Sequence, residues 1–153
     1  YDKWLSAFEG GAKAGKTQSL ILDWRDHENR LTRNDARYKQ EAFDHCKRHY
    51  LLSGPLRNIR KVILWGTGKT GKNWLSWLLN KGFEIPYAID VSPRKIGQCI
   101  HGVRVISPEQ LRTIYDAEIP VLAAVGASGA RELIEAFMEN LRCIKGKKLW
   151  FVA

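Results

Sequence analysis

Cysteine is scarce and scattered in this chain. Cys46, Cys99 and Cys143 are the only three in 153 residues, they never fall in C-x-x-C spacing, and the four histidines are equally dispersed. That pattern argues against a disulfide framework or a metal site and points to a reducing compartment. No apolar run approaches the roughly 18 residues needed to span a bilayer, and no charged-then-apolar leader with a cleavage site is seen. A soluble, cytoplasmic protein is expected. No recognition-helix, RNP or zinc-finger pattern accompanies the basic residues, so nucleic acid is not an expected partner.

What is present is a globular composition, 44% hydrophobic and 27% charged, which supports one packed domain with an appendage. The formal charge of +9 and pI near 9.6 attract phosphate-bearing partners. Much of the charge crowds the first half, where Arg25, Arg30, Arg33, Arg37, Lys47 and Arg48 alternate with acids such as Asp23, Asp26, Glu28 and Asp44. Salt-bridged or solvated helix faces account for that arrangement.

Ser53-Gly54-Pro55 breaks the chain in two. Before it, residues 1–52 predict a short amphipathic helix over Asp2–Glu9, a short strand over Ser19–Trp24, and a helix from about Ala36 to Leu52 capped by Asn34-Asp35. This part has no sheet of its own and an apolar face that needs covering, by the following domain, by missing protein or in a homodimer. Residues 53–60 read as a linker. Residues 61–153 then alternate strand and helix: Val62–Trp65, Gly71–Asn80, Ile85–Ile89, Val103–Ile106, a helix capped by Ser107 with Pro108 at its first position, Val121–Val125, a helix from Ala130 to Leu141, and Lys148–Val152. The strands are continuously apolar, as a parallel sheet covered on both faces requires. The fold class is therefore α/β, a small doubly wound parallel sheet of Rossmann-like order 3-2-1-4-5, with a mainly helical N-terminal extension.

The stretch Gly66-Thr-Gly-Lys-Thr-Gly-Lys-Asn73 admits two parses. A P-loop needs Ser or Thr after its lysine to ligate magnesium, and here Asn73 follows Lys72. The dinucleotide fingerprint G-x-G-x-x-G fits its context: a strand before, a helix after, and Asp90 about twenty residues beyond at the end of the second strand. On that parse Gly66 makes the turn, Gly68 admits a phosphate to the backbone N–H groups, and Gly71 packs the helix on the strand. Asp90 accepts from ribose hydroxyls, while Lys69 and Lys72 add positive charge. Gly66, Thr67, Gly68, Lys69, Thr70, Gly71 and Asp90, with Gly126 and Ser128 of the second glycine-rich turn, are the candidate ligand-binding residues. Ser128 also suits helix capping, and Arg131 could meet a phosphate. Glycines at such a turn are also compatible with close packing alone. No acid-base or nucleophilic constellation is evident: His101 and Tyr115 lack motif context.

Tyr1-Asp-Lys-Trp-Leu-Ser6, Leu22-Asp-Trp-Arg-Asp26, Arg30-Leu-Thr-Arg33, Asp35-Ala-Arg-Tyr38 and Leu52-Ser-Gly-Pro-Leu56 together resemble the end of a family-2 glycosyltransferase. More narrowly, they resemble bacterial members that continue into a Rossmann-like tail opening with V-I-x-W-G-x-G-x-x-G-K/R, as Val62 to Lys72 does. The resemblance implies a GT-A catalytic domain that uses a nucleotide-sugar donor and a divalent metal held by D-x-D, with a Glu-Asp pair just before the Y-D-x-W-L word. Neither motif lies in this chain, so the metal would belong to the missing catalytic domain and this piece alone is not expected to be active. Trp24-Arg25-Asp26 resembles the family's word near the acceptor site. Ile100-His-Gly-Val-Arg-Val-Ile106 resembles a word of bacterial sugar acyltransferases whose small N-terminal domains bind a nucleotide-sugar. The leading expectation is thus a glycosyltransferase C-terminal region whose tail binds a nucleotide or nucleotide-sugar. An NAD(P)-binding oxidoreductase domain and a non-binding assembly scaffold remain open.

Overall fold

The computed structural model describes residues 2–19, 21–23 and 27–153. Trp24-Arg25-Asp26 lies outside the described residues. The chain forms two compact units, residues 1–58 and 59–153, so the division falls within the stretch read as a linker.

The first unit contains α1 (Asp2–Glu9), the short α2 (Leu31–Asn34), a 3-10 turn (Ala36–Tyr38) and α3 (Gln40–Ser53). Tyr50 Oη donates to Asp2 Oδ1 (3.1 Å) and Ser53 Oγ to Glu9 Oε1 (3.1 Å), tying α3 to α1. The long helix starts later than its sequence suggests. Asp35 does not cap it: the Asp35 carboxylate accepts the Arg37 amide and guanidinium, which closes a local turn and delays the helix to Gln40. The strand expected over Ser19–Trp24 is also corrected, because Ser19 and residues 21–23 lie outside any strand. Trp4, Phe8, Ile21, Leu22 and Leu31 are exposed.

The second unit is a mostly parallel α/β sheet. Its elements are β1 (Ile63–Trp65), α4 (Lys69–Asn80), β2 (Ala88–Ile89), β3 (Cys99–Ile100), β4 (Val103–Ile106), α5 (Pro108–Ile114), β5 (Val121–Ala123), α6 (Ala130–Glu139) and β6 (Leu149–Phe151). The sheet order is β3-β4-β2-β1-β5-β6. Its parallel strands alone, β4-β2-β1-β5-β6, run in the expected 3-2-1-4-5 order. The added edge strand β3 pairs antiparallel with β4 through a two-residue hairpin at His101 and Gly102, both at positive φ (49° and 79°).

Register explains the apolar runs. Trp65 pairs with Ile89 and Ala123, and Ile89 with Ile106, so these side chains share one face. That face forms a core with Leu111 of α5 and Ile134 and Met138 of α6. Leu64, Ala88, Val105 and Leu122 point the other way and are equally buried, and α4 turns Trp74, Leu75 and Leu78 inward. Ser107 and Gln110 form the capping box that opens α5. Among the described residues, no helix is long and apolar enough to cross a membrane.

Candidate functional site

β1 lies between β2 and β5. The chain leaves β1 toward α4 and leaves β5 toward α6, so the carboxyl ends of these two strands flank a crevice at the point where the sheet order reverses. A cavity of about 640 Å³ opens there, within the range of small-ligand sites.

The three fingerprint glycines have different physical reasons. Gly66 sits at φ +100°, and a Cβ on it would come within 2.6 Å of the Val125 side chain. Gly71 lies against the Gly66 carbonyl, 1.8 Å from where its own Cβ would be, so α4 can sit on this turn only if residue 71 is glycine. Both are fixed by the protein's own packing. Gly68 is different: its φ is −70°, nothing lies within 4 Å of a Cβ there, and it is on the cavity wall. It is also the N-cap of α4 and offers no side-chain acceptor, so the first-turn N–H groups have no cap at the end of the helix dipole that favours anions. Lys69 and Thr70 line the cavity beside it.

Asp90 follows β2 on the same wall, and its Oδ2 is already fully engaged. Oδ2 accepts the Thr67 amide (3.0 Å), the Thr67 hydroxyl (2.5 Å) and Lys95 Nζ (2.9 Å), while Oδ1 accepts the Ser92 amide (2.9 Å). Burial alone would raise this carboxyl; the bonds from Thr67, Lys95 and Ser92 outweigh it and hold the pKa down to about 2. Thr67 is 1% exposed and faces Asp90, not the cavity.

Of the expected site residues, Gly66, Gly68, Lys69, Thr70, Asp90 and Gly126 line the cavity, while Thr67 and Gly71 support its loop from behind. Ser128 is off the wall, exposed, and does not cap α6; Gly129, at φ 74°, turns the chain into that helix instead. Arg131 faces β6, donating to the Ala153 carbonyl and lying over the Phe151 ring 5.5 Å from its centroid. Lys72 is exposed and away from the wall.

Sequence reading missed Lys95, whose only signal is a basic pair, Arg94-Lys95, in the turn after β2. It also missed the apolar side of the cavity. There Val125, Ala130, Leu133, Ile134 and Phe137 follow β5, while Val91, Pro108 and Glu109 border the β2 side. Among the described residues, no three of His, Cys, Asp or Glu gather as a metal site.

Residues 58–127 match the family described as C2185-like, N-terminal. No curated protein matches the chain. Among solved structures, the chain is similar to RSP, a Rex-family repressor, at 19% identity and a TM-score of 0.50 over 71% of this chain and 52% of that one. It is also similar to UDP-D-quinovosamine 4-dehydrogenase from Vibrio fischeri, at 27% identity and a TM-score of 0.45 over 60% of this chain and 75% of that one. The chain spans about half the length of the repressor it matches. The likeness to the repressor agrees with the Rossmann-like α/β fold.

Proposed function

We propose that residues 59–153 form a nucleotide-binding module whose ligand places its diphosphate at Gly68 and the first turn of α4. The observation that carries this reading is the contrast among the glycines: Gly66 and Gly71 answer to packing, whereas Gly68 faces open space on the cavity wall. A side chain is missing where the protein itself has no need of its absence and where an anion would approach the uncapped N–H groups. Lys69 supplies charge on the same rim. The cavity extends from Val91 and Pro108 on one side of the loop to Leu133 and Phe137 on the other. That shape suits a ligand with a group at each end of a diphosphate, either a dinucleotide or a nucleotide-sugar.

The resemblance of residues 1–56 to family-2 glycosyltransferases supports placing this module at the C-terminal end of a sugar transferase, with the upstream catalytic domain as its partner in the same polypeptide. In that setting the module binds and the catalytic domain transfers. The NAD(P)-domain reading has one specific support, the apolar wall after β5. Calorimetry of the purified chain against UDP-sugars, GDP-sugars, NAD and NADP tests the shared claim. Saturable binding of any of them supports a nucleotide module, and silence toward all favours an assembly scaffold.

A further inference from the structure

We infer that the ligand is a dinucleotide carrying an additional phosphate on its β2-side ribose, the NADP class, and that Lys95 is the residue that selects it. This rests on the reading that the cavity holds a nucleotide.

The first observation is the state of Asp90. An ionised carboxylate has about four lone-pair sites, two on each oxygen, and four protein donors already reach it: two from Thr67 and one each from Ser92 and Lys95. Three of the four end on Oδ2 and only the Ser92 amide on Oδ1, so Oδ1 keeps one site for a further donor; two of the four come from the Thr67 loop and two from the turn after β2. Asp90 therefore acts first as a positioning residue that clamps the glycine loop through Oδ2, with room for at most one further donor on Oδ1.

Lys95 is in the opposite condition. An ammonium has three donors, of which one goes to Asp90, and the side chain keeps 34% of its exposure on the cavity wall. A phosphate monoester at the ribose brings acceptors that a bare hydroxyl lacks, and charge-assisted bonds of this kind are among the stronger ones. The neighbouring Arg94 is exposed in the same turn and adds charge of the same sign.

The far end of the cavity bears on the other half of the ligand. Val125, Ala130, Leu133, Ile134 and Phe137 present no polar side chain. A hexose would leave several hydroxyls without partners against that wall, each at a cost of about 1–3 kcal/mol if desolvated. A flat heteroaromatic ring fits it better.

Titration calorimetry with the full chain, using NADPH, NADH and a UDP-sugar as probes, tests this, repeated on Lys95→Gln and Lys95→Arg. The wild type is expected to bind NADPH at least about tenfold tighter than NADH, and Lys95→Gln to collapse that ratio to about one, while Lys95→Arg retains a preference. Lys69→Gln, at the diphosphate, is expected to weaken both reduced cofactors without changing their ratio. Tighter binding of NADH or of the UDP-sugar, or a ratio that survives Lys95→Gln in a folded variant, overturns the inference and leaves the nucleotide reading standing. Silence toward every probe overturns both.

Discussion

Thr67, in the loop after β1, and Asp90, at the end of β2, meet through one carboxylate oxygen that accepts both the amide (3.0 Å) and the hydroxyl (2.5 Å) of the threonine. The two residues are 23 positions apart, so the bond pins the glycine-rich loop to the neighbouring strand. Removing the hydroxyl in Thr67→Val leaves the amide bond and is expected to cost about 1.5–3 kcal/mol, the range for hydrogen bonds to charged groups. Asp90→Ala strands two amides, a hydroxyl and Lys95 together and is expected to cost about 3 kcal/mol or more. Urea unfolding followed by tryptophan fluorescence checks the order, since Trp65 and Trp74 are buried in the same unit.

The same carboxylate sets an acid response. Its pKa is about 2 in the folded protein against 3.8 unperturbed, so the unfolded chain takes up a proton while the folded chain is still ionised. Its contribution is complete well above pH 4 and is lost as pH falls through about 4 toward 2, amounting to roughly 2 kcal/mol. The difference in urea stability between wild type and Asp90→Asn, measured from pH 7 to pH 3, should shrink across that window. A difference that stays flat over that range would remove the basis for this account of Asp90.

Gly71→Ala puts a methyl group where the Gly66 carbonyl oxygen already sits, 1.8 Å from the new Cβ. Backbone cannot yield as a flexible side-chain tip does, so the expected cost is about 4 kcal/mol or more, at the exceptional end for single substitutions. The thermal midpoint of the variant checks it.

Glu109 lies on the cavity wall in the first turn of α5 and, with the ionised Asp90, carries negative charge that opposes an incoming phosphate. Glu109→Gln is expected to strengthen binding of a phosphorylated nucleotide by about twofold to tenfold, more at low salt than at high salt. Calorimetry at two ionic strengths measures it.

The order of the parallel strands was legible because apolar strands alternated with helices at three of the four steps, α4, α5 and α6, and right-handed crossovers leave few topologies. The cap of α5 was legible because Ser107, Pro108 and Gln110 act within one turn. The hairpin adding β3 was not, because Cys99–Ile100 is too short to show alternation, and its one signal was Gly102 after His101. Asp35 was misread as a helix cap because the competing partner, Arg37, sits only two residues away. The place of the glycine loop after β1 and of Asp90 after β2, beside one cavity, was legible in their spacing. The engagement of Asp90 by Lys95 was hidden, since it depends on how the turn after β2 folds back, and so was the apolar wall from α6. Capping of α6 by Ser128 was not realised because Gly129, at φ 74°, makes the turn into that helix.

Gly68→Ala tests the central claim most directly, because nothing in the protein lies within 4 Å of the new methyl group and the backbone, at φ −70°, accepts it. The account predicts a thermal midpoint within about 2 °C of wild type and nucleotide affinity at least about tenfold weaker by calorimetry. Unchanged affinity in the folded variant would contradict it, showing that the ligand's phosphates do not approach α4 at Gly68.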